Sequence, residues 1–158
     1  MKLKIQVKLI NGQQPLNIID KGDCIDLHSN IECTYSAEDI SKLIYLPLGV
    51  AMKLPKGMIA KVYPRSSSPK RYGFIVPNSL GIIDQTYCGN EDEWMLPILP
   101  FKEGKIEWGD RVCQFEICLS QKATIWQKIK WLLSSGIKIE YVDKLEETNR
   151  GGFGSTGK

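Results

Sequence analysis

Turn signals set the strongest constraint on how this chain folds. Pro55-Lys56-Gly57, Pro77-Asn78, Cys88-Gly89-Asn90, Glu103-Gly104 and Trp108-Gly109-Asp110 interrupt it at short intervals. Proline removes a backbone donor and glycine readily takes up positive φ, so a long helix cannot run through such points. Between them lie short apolar runs at 43–52, 57–63, 73–76, 80–84, 94–99, 111–119 and 137–142. At the N-terminus Leu3, Ile5, Val7 and Leu9 alternate with Lys4, Gln6 and Lys8. That period of two marks a half-buried strand, and Asn11-Gly12 marks the turn after it. Many short strands with frequent turns predict an all-β sandwich or barrel.

One segment breaks the pattern. Within 123–135, Ile125, Ile129, Leu132 and Leu133 fall on one face of a helix with Trp126 at its edge. Gln127, Lys128, Lys130 and Trp131 fall on the other side, and Gly136 stands where it can end the helix. Ser36 to Ser41 suggests a short helical turn, with Asp39 three residues after Ser36. The last nine residues, Arg150 to Lys158, hold four glycines and can bury only Phe153, so a mobile arm is expected.

Composition narrows the function. A chain of 158 residues is sized for one domain, and 42% hydrophobic with 25% charged residues can support a packed core. The expected division is a β domain over 1–149, with the helix at about 123–135, and an arm over 150–158. A net charge of +3 gives no reason to expect nucleic acid or a membrane. The single histidine, His28, excludes a zinc site on paired histidines, so proton chemistry falls to carboxylates. Five cysteines without a C-x-x-C pair fit a reducing cytosol better than a disulfide framework. No signal-peptide core and no apolar run of bilayer length are present, so a cytoplasmic protein is expected, in host cytoplasm if a virus encodes it.

Five constellations carry possible chemistry. Pro64-Arg65-Ser66-Ser67-Ser68 offers a guanidinium fork and hydroxyls to phosphate oxygens, although serine-rich loops are common without such a role. In Gly81-Ile82-Ile83-Asp84-Gln85-Thr86-Tyr87-Cys88-Gly89, Asp84 follows a strand, where a carboxylate can orient water or simply cap a turn. Gly109-Asp110-Arg111-Val112-Cys113-Gln114-Phe115 is a turn leading into a strand. Alternation puts Arg111, Cys113 and Phe115 on one face of it, and Val112 and Gln114 on the other. Asp26 sits within an apolar stretch, 23–27, and the fifth constellation is the glycine-rich arm.

In this order the five resemble the motifs of the trimeric dUTPase family, over roughly residues 20 to 157. The third and fifth motifs are the most specific. Asp23-Cys24 stands where the family usually has Ala-Gly, motif five is two residues shorter between Arg150 and Phe153, and the helix looks inserted. The resemblance implies a jelly-roll-like homotrimer that hydrolyses dUTP to dUMP and pyrophosphate with Mg²⁺. Motifs one, two and four would come from one chain, motif three from a second, and the arm from a third.

By position, Asp84 matches the carboxylate that activates the attacking water. Tyr87 matches the tyrosine packed on deoxyribose. Asn78, Gly81 and Ile83, in a hairpin over 78–89, match the uracil pocket. Arg65, Ser66, Ser67 and Gln114 match phosphate contacts, and Asp26 matches a carboxylate near the water shell of Mg²⁺. Arg150, Ser155 and Thr156 would close on the γ-phosphate, with Gly154 between them and Phe153 stacked on uracil. Asp110 and Arg111 look like supports.

Two rivals remain at this stage. A dCTP deaminase shares the fold and the Arg-Ser-Ser signature, but it needs a glutamate in the strand after motif three, which reads Trp94-Met95-Leu96-Pro97-Ile98 here. A regulatory protein-binding role would use the helix, through Trp131 among Lys128, Lys130 and Gln127, unless Trp131 packs on a neighbouring strand. His28 is expected to be an ordinary hydrogen-bonded histidine. Cys88 lies inside the third motif, where its modification could slow turnover.

Overall fold

The computed structural model describes residues 1–16, 18 and 22–152. Its strands are β1 (Leu3–Leu9), β2 (Ile25–His28), β3 (Cys33–Tyr35), β4 (Ile44–Pro47), β5 (Val50–Lys53), β6 (Met58–Pro64), β7 (Phe74–Ile75), β8 (Gly81–Ile83), β9 (Met95–Pro100), β10 (Gly104–Ile106), β11 (Arg111–Leu119) and β12 (Ile137–Tyr141). Two α-helices, α1 (Ser68–Tyr72) and α2 (Ile125–Leu132), and a 3-10 turn at Ala37–Asp39 complete the described elements. The architecture is the expected jelly-roll-like, mostly β fold. No helix among the described residues is long and apolar enough to cross a membrane.

The pairing is β12-β1-β5, β10-β3, β2-β11-β6-β8 and β4-β9-β7. Period-two residues of β1 turn Leu3, Ile5 and Val7 into the core, as the sequence pattern requires. From β11, Phe115 meets Trp94 edge to face, with ring centroids 5.3 Å apart. The apolar run at 43–52 is two strands in different sheets, because the chain turns at Leu48-Gly49. Three strands, β2, β3 and β10, were not expected as strands. Each has only three or four residues, too few to establish a period.

Two expectations need correction. Alternation through Arg111 fails because the register with β2 shifts between Arg111 and Cys113. This bulge buries Val112 beside Cys113 and moves Arg111 to the face that carries Gln114 and Asp26. The other correction concerns α2. Thr124 caps it reciprocally with Gln127, and it ends at Leu132, before Gly136. Its apolar face points outward: Trp126 is 76% exposed and Leu132 78%, whereas Trp131 packs on the core. On the inward side the Gln127 side chain lies against Gly57 at the start of β6 and Trp131 lies on the core. The helix therefore presents to the core the face opposite to the one its apolar spacing suggested.

Replacing the two tryptophans tests that inversion. Trp131→Ala should cost about 1–2 kcal/mol in chemical denaturation, and Trp126→Ala less than about 0.5 kcal/mol. Equal costs would contradict the packing.

Candidate active site

The site is built from two separate clusters. The first grows from the end of β8. Asp84 accepts hydrogen bonds at Oδ1 from the Thr86 amide (2.8 Å) and hydroxyl (2.5 Å), which hold the carboxylate in a turn. Its Oδ2 meets Nη1 of Arg150 at 2.8 Å. Burial alone would raise this carboxyl. The two Thr86 donors and the Arg150 guanidinium outweigh it and hold the group below the usual aspartate range.

Tyr87 lies beside it, half-buried, with its hydroxyl donating to the Glu93 carbonyl at 2.8 Å. Burial, then Asp92 and Glu93, push the Tyr87 phenol up to about 12, so it stays neutral. Ile82, Ile83, Asp84, Tyr87, Arg150, Gly151 and Gly152 line a cleft of about 200 Å³. That is smaller than the roughly 300–1,000 Å³ of a complete small-molecule pocket.

The second cluster grows from β2, β6 and β11. Asp26 is 3% exposed and faces Gln114 across the β2–β11 pair. One carboxylate oxygen meets Nε of Arg65 at 2.9 Å and the other meets Nη1 of Arg111 at 3.4 Å. A buried carboxylate needs such partners, and here they also fix the Arg65 fork. Ser66 and Ser67 are exposed where α1 begins. Buried Ser68 donates to the Val112 carbonyl at 3.1 Å and ties α1 to the bulge. Asp110 holds Arg71 at 3.1 Å, as Arg111 meets Asp26.

Strand register keeps the clusters apart. In β6–β8, Ala60 pairs with Ile83 and Val62 with Gly81. Continued by one residue, this puts Asp84 beside Ile59. Arg65 lies about six residues further along β6, roughly 20 Å away.

Not every expected residue joins a cluster. The 78–89 segment is not a hairpin: β8 pairs with β6, and Asn78 stands in an exposed turn before it. Neither Asn78 nor Gly81 lines the Asp84 cleft. Cys88 is buried and lines a different cleft, with Lys53 and Glu147. Burial, then Glu147, raise its thiol above the usual range. His28 is buried with Nδ1 unpartnered among the described residues, so the expected hydrogen bond is not seen at that atom. Burial lowers its pKa and keeps it neutral. Phe153, Gly154, Ser155 and Thr156 lie outside the described residues.

The sequence reading missed Thr86, Asp92 and Asn149. Thr86 was hidden in a motif read for its aspartate. Asp92 follows the motif inside Asn90-Glu91-Asp92-Glu93, a run with the look of a polar loop.

A family model for dUTPase matches residues 22–157. The chain is 38% identical over 156 residues to the SPbeta prophage-derived deoxyuridine 5'-triphosphate nucleotidohydrolase YosS of Bacillus subtilis, covering 98% of this chain and 99% of that one. The chain belongs to the dUTPase family. It is also 31% identical to the deoxyuridine 5'-triphosphate nucleotidohydrolase of Corynebacterium glutamicum, over 87% of this chain and 83% of that one. In fold, this dUTPase resembles the crystal structure of dUTPase from Streptococcus mutans at a TM-score of 0.64 and 21% identity, covering 75% of this chain and 98% of that one. A phage phi11 dUTPase of Staphylococcus aureus, described with a structural Mg(II) ion, matches at a TM-score of 0.64 and 14% identity, over 77% and 94% of the two chains. The enzyme is a dUTP diphosphatase. The deaminase rival falls with this assignment, and β9 carries no carboxylate.

The lowered carboxyl of Asp84 fixes the sign of a pH test. A depressed folded value means that the Arg150 pairing is fully present above the unfolded value and is lost as pH falls through the folded one. Arg150 side-chain resonances should hold steady from pH 8 to about 5 and move only below about 4. A midpoint near pH 6 would contradict the ion pair.

Proposed function

We propose that dUTP is hydrolysed between subunits of a homotrimer, with Asp84 and Tyr87 from one chain facing Asp26, Arg65, Ser66, Ser67 and Gln114 of a neighbour. The carrying observation is the roughly 20 Å along β6 between Asp84 and Arg65. A triphosphate cannot bridge that distance while its α-phosphorus stands beside water on Asp84. A neighbour's Arg65 cluster can supply the missing wall.

The proposed chemistry needs no covalent intermediate. Water attacks the α-phosphorus, pyrophosphate leaves, and Asp84 takes the water proton. Both Asp84 oxygens are engaged before substrate arrives. Phosphates that draw Arg150 away would free Oδ2 for the water, so substrate itself would release the base. Arg65, with Ser66, Ser67 and Gln114, would hold phosphate oxygens and orient the chain. Tyr87 would pack on the sugar, and backbone groups near Asn78, Gly81 and Ile83 would read the base edge. The arm over 150–158 would act as a lid separate from the 1–149 domain, with Phe153 on the base and Gly154, Ser155 and Thr156 near the phosphates.

The donor set fits Mg²⁺ carried mainly by substrate oxygens. Among the described residues no three carboxylate, histidine or cysteine side chains cluster, and both Asp26 oxygens already meet arginines. Asp26 would hold the ion only through water. When bound, the ion would neutralise charge on the phosphates.

A protein contact through α2 is a second reading, favoured by its exposed Trp126, Leu132 and Leu133. Light scattering of Trp126→Glu/Leu132→Glu against the parent reads whether copies of this chain cover that face.

Pyrophosphate release from dUTP, dTTP, dCTP and UTP in parallel tests the main reading. Release should be confined to dUTP, should fall on Mg²⁺ removal, and should drop by at least about a thousandfold in Asp84→Asn. Full activity in Asp84→Asn would refute its role as base.

A further inference from the structure

We propose that Gln85 is a positioning residue for dUTP hydrolysis, tying the turn that carries Asp84 to the turn that opens β6. The proposal rests on the dUTP diphosphatase reading and adds to it a residue that the five motifs leave without a role. Ladder pairing between β6 and β8 ends at Ala60 and Ile83. Beyond it the chain folds into a tight turn, in which the Tyr87 amide donates to the Asp84 carbonyl at 3.2 Å. The two Thr86 bonds to Asp84 lie inside that turn. They orient the carboxylate within it but do not hold the turn on the sheet. Gln85 supplies that hold: its Oε1 accepts from the Gly57 N–H at 3.0 Å.

The far end of the tie is a fixed point. Gly57 belongs to a second turn, closed by the Met58 amide on the Pro55 carbonyl at 3.1 Å. Its φ of +80 is a left-handed conformation that suits glycine. Gly57 is buried, so its amide needs an acceptor, and the long Gln85 side chain delivers one from an exposed position. The Gly57 carbonyl accepts from the Ser120 amide at 2.8 Å, which brings the end of β11 to the same point. Helix α2 closes the third side. A Cβ on Gly57 would stand 2.5 Å from Oε1 of Gln127, so that side chain packs directly on the glycine. The same Oε1 accepts from the Thr124 amide at 2.8 Å, which holds it there. The inserted helix thus backs the point that Gln85 grips.

The consequence is catalytic geometry. A base must hold water in line with the α-phosphorus, and a small misplacement costs rate more than binding. The tie acts on the turn that carries Asp84. Arg65, Ser66, Ser67 and Gln114, the proposed phosphate donors, lie far along the sheet from it.

Full-length Gln85→Met tests the tie, because it keeps the length of the side chain and removes the acceptor. The single-turnover rate at saturating dUTP should fall about tenfold, while the half-saturating concentration stays within about twofold. In substrate-free protein the Gly57 amide should exchange slowly. Gln85→Met should speed it at least about tenfold while Ile5 and Phe115 keep their protection. Gln85→Glu retains an acceptor and should keep the Gly57 amide slow. An unchanged rate in Gln85→Met, a loss carried by saturation alone, or equal Gly57 exchange in parent and Gln85→Met would overturn the proposal. Fast Gly57 exchange in Gln85→Glu would do the same. A parent that hydrolyses no dUTP would remove the assigned activity and the proposal with it. An active parent with an unchanged variant removes the positioning role alone.

Discussion

The antiparallel pairing of β6 with β8 governs what this chain can do alone. It places Asp84 at one end of β6 and Arg65 beyond the other. Both positions are held by the sheet order β2-β11-β6-β8, which packs Phe115, Val62 and Ala60 into the core. Moving Asp84 to Arg65 would require a shift of about six residues in register, which breaks the ladder. A rigid sheet therefore holds the two clusters accurately and keeps them apart within one chain. In the shared site we propose, association becomes a condition of chemistry; the family to which the chain belongs is typically trimeric.

The two clusters use opposite electrostatic designs. In one, a buried carboxylate, Asp26, organises two arginines and leaves the Arg65 fork with donors to spare. In the other, Asp84 is partly exposed and its Oδ2 is held by a single arginine at the start of the arm. The first arrangement is permanent support. The second is a contact that an incoming triphosphate can replace, because phosphate oxygens compete for the same guanidinium.

Much of the fold was legible because β periodicity and turn residues act locally. The 111–119 strand was read with its bounds, and Leu3 to Leu9 with its inward face. Failures came where tertiary contacts decide. The bulge at Val112 moved Arg111 to the face carrying Asp26, and alternation alone has no term for it. Helix α2 was found by its period but turned the wrong way, because its inward contacts, Gln127 on Gly57 and Trp131 on the core, leave no mark in the apolar spacing. Within the site, Asp84, Tyr87, Arg65 and Asp26 stood out by type and order, and the structure places each in one of the two clusters. Asp92 and Asn149 did not stand out, since a carboxylate bound by backbone amides far along the chain leaves no side-chain pattern to read.

Mixed trimers test the shared site most directly. Asp84→Asn and Arg65→Ala chains, each impaired alone, should recover activity when co-refolded in equal amounts. A site that takes Arg65 from one chain and Asp84 from a neighbour predicts about one quarter of parental kcat per site, set by random assembly around a threefold axis. Activity that stays at the level of the separate variants, with mixed trimers confirmed by mass, would show that each chain carries a complete site and would contradict the account.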